Sequence, residues 1–160
     1  MSADRGRRQR AWIGIAAIVV LAAVVGVVAW RASLSPLRAD PADPVLVAEG
    51  REVYGKSCAS CHGARLEGQP DWRARMANGR LPAPPHDADG HTWHHPDRQL
   101  FQITKYGLAA IVPGYESDMP VYGGILSDRQ IWAVLAFIKS TWPEEIRDRQ
   151  ERANRADAGR

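Results

Sequence analysis

The chain's two cysteines stand three positions apart with a histidine directly behind the second, in Cys58-Ala59-Ser60-Cys61-His62. Two thiols at that spacing on a helix end can each add to one vinyl group of a single haem. The next residue then brings its imidazole under the iron as an axial ligand. Other chemistries of a cysteine pair need residues that are missing. A zinc site wants a second ligand pair, and there is no third cysteine. A thioredoxin-like redox pair belongs beside a βαβ pattern, which this sequence does not have. A plain disulfide is the remaining alternative in an oxidising compartment. The reading favoured by the motif is one covalent haem held by Cys58 and Cys61, with His62 on the iron.

The elements that would position this motif are helical. Asp43 as N-cap and Pro44 at the first helical position open a helix that runs through Val45, Val47, Ala48, Val53 and Tyr54 to about Lys56. From Gly63 to Pro96 the chain has almost no regular period, and a loop this long needs something to pack on; a haem face would supply it. A short helix is expected over Asp97 to Tyr106, stopped by Gly107. After a second loop, Leu108 to Leu126, the clearest helix begins. Ser127 and Gln130 form a capping box, Leu126 and Ile131 a hydrophobic staple, and Ile131, Trp132, Val134, Leu135, Phe137 and Ile138 an apolar face that ends before Pro143. Residues 143–160 are charged and read as a solvated, partly helical polar tail. The predicted fold class is all-α.

Three motifs together carry a resemblance: Gly50-x-x-x-Tyr54 one turn before Cys58, Cys58-Ala59-Ser60-Cys61-His62-Gly63, and Asp118-Met119-Pro120 shortly before the last core helix. On these residues the stretch 44–142 resembles a class I bacterial cytochrome c domain. The resemblance implies three to five helices wrapped around one haem c. It implies that Gly50 lets the first and last core helices cross closely against an aromatic residue, Phe137 or, second, Trp132. It makes Met119 the distal ligand, so that His62 and Met119 are the metal ligands. A thioether in that position favours reduced iron. Met76, the other methionine of the domain, lies too near the attachment motif to fit the family order. The proximal imidazole must give its second proton to an acceptor; in the family this is the carbonyl of a proline after the motif, here Pro82 or Pro84.

The histidines His86, His91, His94 and His95 are rivals of Met119 for the iron, loop residues touching solvent or propionates, or a separate copper or zinc site. Arg73, Arg80, Trp93 and Tyr115 are candidate partners of the haem propionates. The stretch 78–95 is longer and richer in histidine than in the smallest members of the family.

The amino terminus points to a membrane. Residues 11–30 carry no charge in twenty positions, and as a helix they are about 30 Å long, enough to cross the hydrocarbon core. A cleaved secretory signal is the alternative, but the run is long for one and ends in Val28-Ala29-Trp30-Arg31, with a bulky residue where a small one is wanted. Arg5, Arg7, Arg8 and Arg10 precede the run, and only Arg31 and Arg38 follow it closely. The positive-inside rule leaves residues 1–10 as a cytoplasmic tail and the rest outside, with 31–43 as a proline-containing linker. From Arg31 onward there are 17 Lys and Arg against 17 Asp and Glu, so the net charge of +3 comes from the terminal tail alone. That balance gives no argument for a nucleic-acid partner.

The expected function is one-electron transfer without a catalytic site of its own. The carrier would be a single-pass protein of a bacterial inner membrane with its haem domain in the periplasm. Its expected partners are a quinol-oxidising cytochrome bc-type complex and a terminal oxidase or reductase. A fixed haem subunit of a membrane oxidoreductase and a haem-based sensor are the alternatives. Gly14 and Gly26 are not at the four-residue spacing of a helix-packing motif.

Overall fold

The computed structural model describes residues 12, 17–27 and 38–159. The chain divides into two compact units, Met1–Pro36 and Leu37–Arg160. In the first, residues 17–27 are helical, and Ile18, Val19, Val20, Leu21, Val24, Val25 and Val27 are all exposed. Of the anchor read over 11–30, residues 11, 13–16 and 28–30 lie outside the described residues. Among those described, no helix is long and apolar enough to cross a membrane.

The second unit holds five helices: α1 (Pro44–Ser57), the single turn α2 (Ala59–His62), α3 (Asp97–Tyr106), α4 (Asp128–Ser140) and α5 (Glu144–Ala158). Single 3₁₀ turns interrupt the two long loops at Thr92–His94 and Leu108–Ala110. The only β pairing among the described residues is one bridge, Gly123 to Leu126. The ends form where the local chemistry demands. Asp43 Oδ1 accepts from the backbone N–H of Val45 (2.9 Å) and Leu46 (3.1 Å) at the start of α1. The full capping box of Ser127 and Gln130 opens α4.

The core forms where α1 crosses α4. Gly50 is the point of closest approach: a Cβ there would collide with the Ala133 carbonyl and come within 2.9 Å of Phe137 Cβ. Phe137 is thus the aromatic at the crossing, and its ring lies 5.4 Å from that of Tyr54. Trp132 stacks instead on Phe101 of α3, 4.5 Å away. One apolar cluster unites Val53, Tyr54, Leu66, Val134, Phe137, Trp142 and Ile146, and a second unites Leu46, Leu100, Ile131 and Leu135.

The carboxyl-terminal segment differs from the solvated tail read in the sequence. It is a docked helix of 15 residues, with Ile146 and Gln150 buried. Apart from Ile146, which joins the first apolar cluster, its docking is polar, so apolar patterning does not reveal it. Asp97, the first residue of α3, is the hub. Its carboxylate accepts from Gln150 Nε2 (2.6 Å), Lys139 Nζ (2.7 Å) and Asn154 Nδ2 (3.2 Å), while its backbone N–H donates to Asn154 Oδ1 (2.7 Å). Every polar group taken out of water there finds a partner.

Candidate haem site

Cys58 closes α1 and opens α2. Its N–H donates to the Tyr54 carbonyl (2.9 Å), and its own carbonyl accepts from Cys61 (3.1 Å) and His62 (2.9 Å). This turn sets Cys58 and Cys61 on one face, since helix residues three apart are neighbours. Both thiols are free; Cys58 is half-buried and Cys61 exposed. Burial, and then the neighbouring Cys61, push the Cys58 thiol up to about 11.

His62 is buried, 7% exposed. Its Nδ1 lies 2.8 Å from the Pro84 carbonyl, which makes that nitrogen the protonated donor. Of the two prolines the sequence offered, Pro84 supplies the acceptor. Among the described residues Nε2 has no hydrogen-bond partner, and it is not sealed from solvent. Burial lowers the pKa of the ring, against a smaller opposing pull from the Pro84 bond, so the imidazole is neutral at pH 7. A neutral ring with one nitrogen anchored and the other free is what an iron ligand requires. Together with two free thiols on one turn, the donor set fits a covalent haem.

The loop after the motif is folded back to make this possible. Gly68 has φ +69°, donates to the His62 carbonyl (2.8 Å), and passes so close to Pro84 and Pro85 that a Cβ would lie 2.5 Å from the Pro85 nitrogen. Tyr54 ties the exit of the turn, its hydroxyl donating to the carbonyls of Gly63 (2.8 Å) and, at longer range, His62 (3.3 Å). A shallow concavity of about 580 Å³, lined by Gln69, Asp71, Arg75 and Met76 among others, includes none of Cys58, Cys61, His62 or Met119.

Met119 is half-buried in the loop before α4, its N–H bonded to Ser117 Oγ (3.1 Å). Two ties hold this loop. Tyr122, three residues on and itself buried, donates its hydroxyl to the Ser57 carbonyl (2.5 Å), one residue before Cys58. Arg80 forms ion pairs with Asp118 and, at 3.4 Å, with Glu116, both just before Met119 in the chain. Arg80, a candidate partner of the haem propionates, pairs here with these two carboxylates. Of the other candidates, Arg73 lies over the Trp72 ring (4.0 Å) and the Trp93 indole N–H donates to Ala88 (3.2 Å).

The histidines separate into different roles. His86 stacks on His62, ring centroids 4.0 Å apart at 22°. A ring lying on the face of an imidazole cannot also sit opposite that imidazole's Nε2, so His86 is no rival of Met119. His91 stacks on Trp72 (5.3 Å), His94 on Trp93 (3.7 Å), and His95 Nδ1 lies 3.3 Å from Gln99 Oε1. Among the described residues no group of three or more His, Cys, Asp or Glu side chains could hold a separate metal ion. The spacing His91-Thr92-Trp93-His94-His95 suggested such a site because sequence does not show that His94 turns away onto Trp93 while His91 and His95 meet edge to face, 5.4 Å apart.

Sequence reading passed over Tyr122, the stacking of His86 and the hub at Asp97. Each works through contacts across at least 24 positions, and none has a local pattern.

The cytochrome c family model matches residues 47–142, well over half of the chain, and the chain belongs to that family. No curated protein and no solved structure gives a significant match. A member of this family binds haem c covalently and transfers electrons, acting as a carrier rather than a catalytic enzyme. Helix α5 lies beyond the matched region.

Proposed function

We propose that this chain is a membrane-tethered monohaem cytochrome of class I, held at the periplasmic face of a bacterial inner membrane. It carries single electrons from a quinol-oxidising cytochrome bc-type complex to a terminal oxidase or reductase. Cys58 and Cys61 would hold haem c through thioethers, and His62 and Met119 would supply the ligands to its iron. When bound, the haem supplies reversible gain and loss of one electron. Pro84 orients the His62 ring, and Tyr54 and Tyr122 hold the two loops that carry the ligands. With both axial positions taken by side chains, no place remains for a substrate.

The observation that carries this reading is the Cys58–His62 turn, with Nδ1 of His62 anchored on Pro84 and Nε2 left free. The tether is supported by the uncharged run 11–30 and by the exposed apolar side chains of its described part. A tether raises the effective concentration of partners in the same membrane, to roughly millimolar, without a strong contact.

The test is expression of the full chain in a host that matures c-type cytochromes. The expected result is a red protein in the membrane fraction. Its colour survives acid acetone, its titration fits one electron, and its reduced form does not bind carbon monoxide. Colour that washes out with acid acetone, leaving a disulfide, overturns the haem assignment. Avid carbon monoxide binding overturns the ligation by Met119.

A further inference from the structure

The bond from His62 Nδ1 to Pro84 fixes one point of the imidazole, but a ring pinned at one atom can still rock about that contact. A second restraint has to act on its face. The ring of His86 lies there, 4.0 Å away and nearly parallel.

His86 is itself held at every group that could let it turn. Its backbone N–H donates to the Leu66 carbonyl (2.8 Å), and its carbonyl accepts from the Trp142 indole N–H (2.7 Å) at the end of α4. Its ring Nδ1 lies 2.8 Å from the hydroxyl of buried Thr92. That hydroxyl also reaches the Pro85 carbonyl at 3.4 Å. A hydroxyl has one proton to give: given to Pro85, it leaves Thr92 to accept from His86, and given to His86 Nδ1, it makes the shorter contact, so the ring is held in either tautomer.

The contacts form a closed circuit. It runs from the Pro84 carbonyl to His62, across the stack to His86, on to Thr92, and back to the Pro85 carbonyl. Its base is Pro84-Pro85, whose rings limit backbone motion. An apolar side chain of similar size would fill the same space. What histidine adds is a flat face whose rotation is locked by a hydrogen bond.

We propose that His86 is a positioning residue for His62: its ring, locked by Thr92, sets the angle of the His62 imidazole about the Nε2 direction. This rests on the reading of His62 as an axial ligand. The angle of that ring governs how its orbitals meet those of a bound metal, so His86 acts on the site without touching the iron.

The experiment compares full-length holoprotein as wild type, His86→Leu, His86→Phe and Thr92→Val. One readout is the set of paramagnetically shifted haem-methyl proton resonances in the oxidised state, which follows the plane of the axial imidazole. A second is the exchange rate of the His62 Nδ1 proton. Far-ultraviolet circular dichroism confirms folding of each variant. His86→Leu is expected to rearrange the methyl shifts and to speed exchange roughly two- to tenfold, the equivalent of one lost aromatic stack. His86→Phe, which keeps the flat face, is expected to restore both towards wild type. Thr92→Val, which frees the His86 ring, is expected to fall between.

Unchanged shifts and exchange in His86→Leu overturn the proposal. So does a Phe variant as displaced as the Leu variant, because the flat face is then not the cause. If His86→Leu does not accumulate with haem, Thr92→Val decides: a rearranged pattern supports the positioning role and a wild-type pattern overturns it. Failure of the underlying ligand reading is seen separately, before any variant is compared, as oxidised wild-type holoprotein in which the His62 ring protons carry no paramagnetic shift.

Discussion

The hydroxyl of Tyr54 holds the exit of the haem turn, and its removal has two separable consequences. Tyr54→Phe leaves the Gly63 carbonyl without its 2.8 Å donor, a loss of about 0.5–1.5 kcal/mol readable in denaturant melts at neutral pH. Burial also raises the pKa of Tyr54 above the usual phenol value. A raised folded-state pKa means that the fold favours the protonated form. Its contribution is complete below the unfolded value near 10, and is lost as pH climbs beyond it. The wild type should therefore lose more stability between about pH 9 and about pH 11 than Tyr54→Phe does. Tyr122, raised by burial as well, keeps part of the slope in the variant. Equal slopes in the two proteins would show that Tyr54 gives up its proton in the fold as easily as in the open chain. For the distal ligand, Met119→Ala should open the position. The oxidised protein is then expected to lose the weak long-wavelength band of thioether-ligated haem, and the reduced one to bind carbon monoxide. Retention of the band would remove Met119 from the iron.

Among elements, the α1–α4 crossing leaves no room for a methyl group. Alanine is the better helix former by about 1 kcal/mol, but the atom in its way at position 50 is the Ala133 carbonyl oxygen, a backbone atom inside a helix. Gly50→Ala is thus expected to destabilise by about 1–3 kcal/mol, measured as a lower denaturation midpoint. A neutral or stabilising result would mean that the helices stand further apart. Docking of α5 rests on a different chemistry. Lys139 is 6% exposed, and its ammonium meets Asp97 at 2.7 Å. Asp97→Ala would leave that charge buried without its carboxylate and strip Gln150 and Asn154 of an acceptor. The expected cost is about 3–5 kcal/mol, with early loss of α5 by hydrogen exchange. A change within about 0.5 kcal/mol would show the network to be a solvated surface feature.

At the scale of the molecule, Leu37–Arg160 is a compact unit that closes its core among its own residues, with Trp142 and Ile146 joining α4 and α5 to the first cluster. If the run 11–30 is the tether, deletion of residues 1–36 behind a secretory signal should move the red protein from the membrane to the soluble fraction with an unchanged spectrum. Persistence in the membrane pellet would place the attachment elsewhere. The even count of 17 basic and 17 acidic residues from Arg31 onward leaves no net field for steering, so any salt dependence of reaction with a partner would come from local patches.

Local chemistry was legible in the residues themselves. Cys58, Cys61 and His62 are adjacent in the chain, so one helical turn suffices to bring their chemistry together. Asp43, Ser127 and Gln130 act within three or four positions, and their caps stand where the residue types put them. The resemblance carried the crossing at Gly50 and narrowed the acceptor of His62 to two prolines, because these features follow a shared pattern. Tertiary structure alone decided between Pro84 and Pro82, laid His86 on the His62 ring, turned Arg80 to the carboxylates just before Met119, and docked α5 on Asp97. The reason is physical. A stack or a buried polar hub is worth something only when distant segments arrive at a few ångströms with the right orientation. Neither hydrophobic period nor residue type encodes that arrival.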